Sequence, residues 1–184
     1  MKKYILMSLI LFFIASSAQS SQITPLIKAG ISYPITQTII YLKTVKNKRY
    51  ISWKQANYQA NIIYKLSEKY NIDWKLIVSM TFIESSFNQF LGPVLEWGPM
   101  QVSPSIWKKY CKYLSKTIGG GYECGIRYLK VISIRHKMFR TDWYSYYHSY
   151  TPKYRLRYKS KVILQLNKID NFLDMRIKGA LLHL

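Results

Sequence analysis

Ile83-Glu84-Ser85-Ser86-Phe87-Asn88 closes a segment that opens at Asp73, and Glu96-Trp97-Gly98-Pro99-Met100-Gln101-Val102 follows it. Asp73 suits a helix N-cap. Ile77, Met80, Thr81 and Glu84 then fall on one side of a helix, with Lys75, Ser79 and Ser86 on the other and Phe82 an exception. A carboxylate therefore lands on the apolar face, in a chain with eight acidic residues against 28 basic ones. An ionised group there is costly and tends to stay protonated. A neutral carboxylic acid is what protonating a glycosidic oxygen requires. The plain alternative is a helix-end Glu that reaches solvent or pairs with a lysine, and spacing alone favours it.

Helical periodicity extends on both sides. Ala56, Ala60, Ile63, Leu66 and Tyr70 recur at helical spacing, and Asn71 suits the stop. Residues 88–102 hold Gly92, Pro93, Gly98 and Pro99 and read as a loop or short hairpin. Ser103-Pro104 opens a helix running through Trp107 towards Tyr113. After the Gly119-Gly120-Gly121 loop, Gly125, Tyr128, Leu129, Ile132 and Phe139 mark another helix. Asp142 caps a short one containing Trp143, Tyr146 and Tyr147. Pro152 starts the last, with Val162, Leu166, Ile169 and Leu173 on its buried face. At 184 residues the expectation is one all-α domain over 53–184, with a central substrate cleft.

Four ordered blocks resemble the soluble lytic transglycosylase catalytic domain, a goose-type-lysozyme-like fold. They are Ile83-Glu84-Ser85-Ser86-Phe87-Asn88, Gly98-Pro99-Met100-Gln101-Val102, Gly125-Ile126-Arg127-Tyr128-Leu129, and Tyr147-His148-Ser149 before Thr151-Pro152. The resemblance spans about Asn57 to Val162. It implies Glu84 as general acid and then base, cleaving between N-acetylmuramic acid and N-acetylglucosamine with closure of a 1,6-anhydro ring. Ser85 is expected to hydrogen-bond near the site, and Met100 and Gln101 to line the cleft. Tyr147 is expected to position Glu84 or the sugar through its hydroxyl; core packing is the plain alternative for Met100 and Tyr147. Trp97 and Trp107 are candidates for the cleft wall.

Two departures from the family pattern matter. Tyr-His-Ser replaces Tyr-Asn-x-Gly, which puts the usual Asn contacts in question at His148. Glu96, two residues before Gly98, offers a second carboxylate that favours hydrolysis over ring closure if it reaches the cleft; a solvated loop acid is the equal alternative.

Lys2-Lys3, the apolar run Ile5–Ile14 and Ala15-Ser16-Ser17-Ala18 have the order of a secretory signal peptide, assigned to 1–20. The run is well short of the ~20 residues that span a bilayer. The expected location is the periplasm or cell envelope, with no stable membrane insertion after cleavage. Residues 21–52, interrupted by Pro25, Gly30 and Pro34, read as an irregular N-terminal extension. Net charge of +20 points either to a polyanionic partner or, equally, to a composition in which lysine, Ile and Tyr are abundant, as in AT-rich coding; if there is a partner, export argues for the wall or membrane surface and against nucleic acid. Cys111 and Cys124 are expected to pair or to stay as two buried thiols. Three scattered histidines give no zinc pattern, and no cofactor is implied. The expected partner is the peptidoglycan glycan strand, with a secretion or conjugation apparatus as a further candidate. The alternatives are a muramidase-type hydrolase using Glu84 and Glu96, a non-catalytic wall-binding scaffold, and a membrane-active cationic protein.

Overall fold

The computed structural model describes residues 32–88, 96–138 and 141–181. Residues 1–20, expected to be a signal peptide, together with residues 21–31, Gly92-Pro93 and Phe139 lie outside them. Among the described residues six helices form one compact all-α body, and the only extended pairing is a bridge between Trp97 and Val102.

Helix α1 covers 32–46, ending in the π-helical stretch Tyr41–Lys46. This corrects the irregular extension expected from Pro34. Ile35, Ile39 and Leu42 recur at i, i+4 and i+7 and are fully buried. The hydroxyls of Thr36 and Thr38 donate back to the carbonyls of Ser32 and Pro34, at 2.8 Å each, so they can be buried beside them.

Helix α2 (Trp53–Tyr70) starts with a reciprocal Ser52–Gln55 capping box and stops at Asn71 in the left-handed conformation. It buries Ala56, Ala60, Ile63 and Leu66. Asp73 caps α3 (Trp74–Ser85), its carboxylate accepting from Lys75 N at 2.8 Å. Leu76 through Thr81 are all buried. The helix therefore runs through the core between α2 and α6, and Ser79, expected on a polar face, is enclosed. It ends in two successive left-handed residues, Ser86 (φ 52) and Phe87 (φ 63).

Ser103 and Pro104 open α4 (Pro104–Tyr110), which stops short of Tyr113. The Cys111–Cys124 disulfide ties its end to α5 (Ile118–His136). The triple glycine, expected as a loop, forms the first turns of α5 behind a Thr117 cap. Close approach explains Gly121 and, one turn on, Gly125. A Cβ on Gly121 would stand 2.9 Å from Gly98 Cα, and one on Gly125 would stand 2.7 Å from Met100 Cβ and Sδ. The bare face of α5 thus seats the turn at 98–101.

A 3-10 turn, Trp143–Tyr147, follows. Asp142 closes it through its carbonyl, which accepts from Ser145 N and Oγ, rather than through the side-chain cap expected. Helix α6 (Pro152–Leu181) buries Tyr158, Val162, Gln165 and Ile169 against the core. Leu166 and Leu173 are partly buried beside them.

Gly121→Ala should lower stability by ~1–3 kcal/mol through overpacking against Gly98. Gly119→Ala, whose Cβ would meet only Thr117 Oγ1 at 3.9 Å, should leave stability within ~0.5 kcal/mol of the parent. Urea unfolding of both variants checks the pair, and equal tolerance would mean that the glycine face does not seat the turn.

Candidate active site

A cleft of about 210 Å³ lies where the end of α3, the 96–103 turn, α5 and the segment 146–150 meet. Both sequence-predicted carboxylates, Glu84 and Glu96, line it, together with Gln101, Tyr147 and His148. Tyr128, Tyr146 and Tyr150 supply the aromatic wall.

Glu84 emerges from the last turn of α3 with Oε1 buried and without a hydrogen-bond partner. Burial removes the water that would stabilise its charge, and this pushes its carboxyl up to about 7. The negative charge of Glu96 adds to the rise, while the Tyr158 hydroxyl and the Lys161 ammonium oppose it. Tyr158, from α6, is itself buried with its hydroxyl lacking a bond of hydrogen-bond geometry. Glu96 is also raised, by partial burial. Near neutral pH Glu84 therefore holds its proton about half the time, the condition under which one group can both donate and accept.

Three hydrogen bonds fix the turn facing Glu84. Ser85 Oγ donates to Pro99 O at 2.6 Å, Tyr147 Oη to Met100 O at 2.9 Å, and Gln101 Nε2 to Gly98 O at 2.9 Å. Gln101 takes a left-handed conformation (φ 48), which holds its side chain at the cleft. The Tyr147 proton is thus committed to Met100 O, so this hydroxyl meets its neighbours as an acceptor. Its ring packs on Tyr128, centroids 5.5 Å apart.

Met100, expected to line the cleft, is fully buried beneath it against Gly125. Trp107, expected in the wall, is buried in the core. Trp97 is not among the cleft residues; its backbone pairs with Val102, and Lys116 lies over its ring at 5.3 Å. Tyr146 takes the wall position instead. It stacks on His136 at 4.1 Å, and the Arg155 guanidinium lies 4.4 Å from its centroid. His148 stacks flat on Tyr158, centroids 4.8 Å apart. Burial and Lys161 hold its imidazole below the ordinary range, so it is neutral at pH 7. Sequence reading missed Tyr146, Tyr150 and Tyr158, for which aromatic abundance was the only signal. Among the described residues no group of three or more His, Cys, Asp or Glu is placed to hold a metal.

No protein-family model, curated protein or solved structure matches the chain.

The raised Glu84 has a consequence for stability. Between pH 4.5, its ordinary value, and about 7, the folded state holds this proton more tightly than the unfolded chain does. Stability carried by Glu84 is present below that window and lost as pH rises through it. Glu84→Gln, which does not ionise, should gain ~1–3 kcal/mol relative to wild type between pH 5 and pH 8. Urea unfolding at both pH values tests this, and a pH-independent difference would contradict the assigned ionisation.

Proposed function

We propose that this chain is an exported peptidoglycan lytic transglycosylase in which Glu84 is the general acid and base. The observation that carries the reading is the buried Glu84 carboxyl, its Oε1 without a hydrogen-bond partner, at a tyrosine-lined cleft. The four motif blocks support it by supplying that carboxyl and the turn that faces it. The Cys111–Cys124 disulfide suits an oxidising compartment outside the cytoplasm.

In this reading the protonated Glu84 delivers its proton to the oxygen between N-acetylmuramic acid and N-acetylglucosamine as the C1–O bond breaks. The acetamido group of the muramic residue stabilises C1. The Glu84 carboxylate then takes the proton of the C6 hydroxyl, and O6 bonds to C1, closing the 1,6-anhydro ring without consuming water. A single carboxyl near pH 7 suffices for both transfers. Tyrosine faces suit sugar rings, which present C–H groups to stack against, and Gln101 offers amide contacts at the cleft floor.

Glu96 favours a second reading, because it lines the same cleft and its charge acts on Glu84. As a second carboxylate it would stabilise an oxocarbenium-like state or orient water, and the product would be a hydrolysed reducing end. The scaffold reading has less support, since a binding surface has no need of an unpaired buried acid. For the membrane-active reading, no described helix is long and apolar enough to cross a bilayer. An interfacial role would also compete with the core packing of α6. A role in opening the wall for a secretion or conjugation apparatus fits a catalytic domain of this size.

Purified protein is expected to release anhydro-muropeptides from isolated sacculi, with Glu84→Gln slower by ~10²–10⁴-fold. Full activity in that variant would remove the assignment. Mass spectrometry separates the two chemistries, because hydrolysis adds one water to the product and ring closure does not. Glu96→Gln should leave anhydro products unchanged if Glu84 acts alone, and should abolish turnover if the enzyme is a hydrolase.

A further inference from the structure

A second cavity, of about 220 Å³, opens next to the residues that end α3 and shares no lining residue with the active-site cleft. Its polar corner is Lys43, from the π-helical stretch of α1, and Asn88. Lys43 is only 8% exposed. Its ammonium donates to Asn88 Oδ1 at 2.9 Å, its one acceptor among the described residues. An ammonium has three hydrogens to place, and a buried charge is expensive without a counter-charge.

None of the described residues supplies that counter-charge. All eight acidic residues are described, and none ion-pairs with Lys43. Six of them act elsewhere: Glu84 and Glu96 in the cleft, Asp73 at a helix cap, and Glu123, Asp142 and Asp170 with other lysines. Nearby Arg49 adds a second positive charge, and with burial it pushes the Lys43 ammonium below its ordinary range. The site is therefore positive, part-dry and lacking an anion.

The chemistry of that anion follows from the donors. Because Asn88 Oδ1 accepts from Lys43, its Nδ2 group is turned to donate. An ammonium hydrogen and an amide hydrogen on adjacent groups match the two oxygens of one carboxylate. Lys43 is the one cation among the lining residues, and Arg49 acts on it from outside the lining, so the cavity offers no arginine fork and suits a single negative charge better than a phosphate dianion. Phe87 and the rings of Tyr50 and Tyr58 share the remainder of the cavity with the amides of Gln55 and Gln59, so the group attached to the carboxylate should be small and organic, with both apolar and polar contacts. We propose that this cavity is a second binding site, taking the terminal carboxylate of an amino-acid-sized or short peptide ligand against Lys43 and Asn88.

Occupancy would be felt at the end of α3. Gln59 Nε2 donates to Phe87 O at 3.3 Å, and its Oε1 accepts from the buried Tyr122 hydroxyl at 2.6 Å. Asn88 N also donates to Ser85 O at 3.2 Å, so Asn88 is bonded directly to the residue after Glu84.

Titration of the full mature chain with N-acetylalanine and with its amide tests the site. The acid should bind about tenfold or more tightly than the amide, since only the acid supplies the missing charge. Lys43→Gln should erase that preference. Should the variant fail to fold, wild-type protein carrying 13C-labelled lysine gives the same information: the Lys43 Cε resonance should shift with the acid and not with the amide. Equal binding of acid and amide, no binding of either, or an unmoved Lys43 resonance would overturn the proposal. The assay reads binding away from the cleft, so its outcome is independent of whether Glu84 cleaves a glycan.

Discussion

The structure depends on the close approach of the Gly98–Gln101 turn to the glycine face of α5. At Gly121 and at Gly125 a side chain would occupy the space now filled by Gly98 and Met100. Seating the turn there brings the carbonyls of Pro99 and Met100 within reach of Ser85 and Tyr147. Those two bonds join the end of α3, the turn and the 3-10 segment into one rigid corner. Glu84 lies at that corner, one residue before Ser85. Its position is set by backbone packing rather than by a partner for its own carboxyl.

Burial without a counter-charge strong enough to offset it is the electrostatic heart of the site. A carboxylate buried beside arginine would be held ionised, and a fully exposed one would titrate at its ordinary value. Glu84 has neither environment. The chain carries a large positive excess, yet the Lys161 ammonium offsets little of the rise that burial imposes on Glu84. Tyr158 is the counterweight, coming from α6 with a buried hydroxyl facing the site.

The helices were legible where local chemistry decides them. Asp73, Ser103-Pro104 and Asn71 read directly as caps and stops, and the placement of Glu84 beside Ile77, Met80 and Thr81 follows from helical spacing. Readings failed where a distant contact overrides a local preference. Pro34 looked like a breaker, yet α1 runs past it because Ile35, Ile39 and Leu42 are buried together. The triple glycine looked like a loop because glycine is a poor helix former; its helical placement answers to Ser115 O and Gly98, which spacing does not reveal. Met100 belongs to a motif block and Trp107 is a cleft-wall candidate by sequence, yet both are buried in the core. Tyr158 was out of reach because it stands far along the chain from Glu84 and belongs to none of the motif blocks.

The central claim is that Glu84 is an acid held near neutrality by burial. The direct measurement is a 13C NMR titration of the glutamate side-chain carboxyls in the wild-type protein, with Glu84→Gln identifying the resonance. The account predicts that the Glu84 carboxyl titrates near pH 7. Titration at the ordinary carboxylate value, near 4.5, would contradict it.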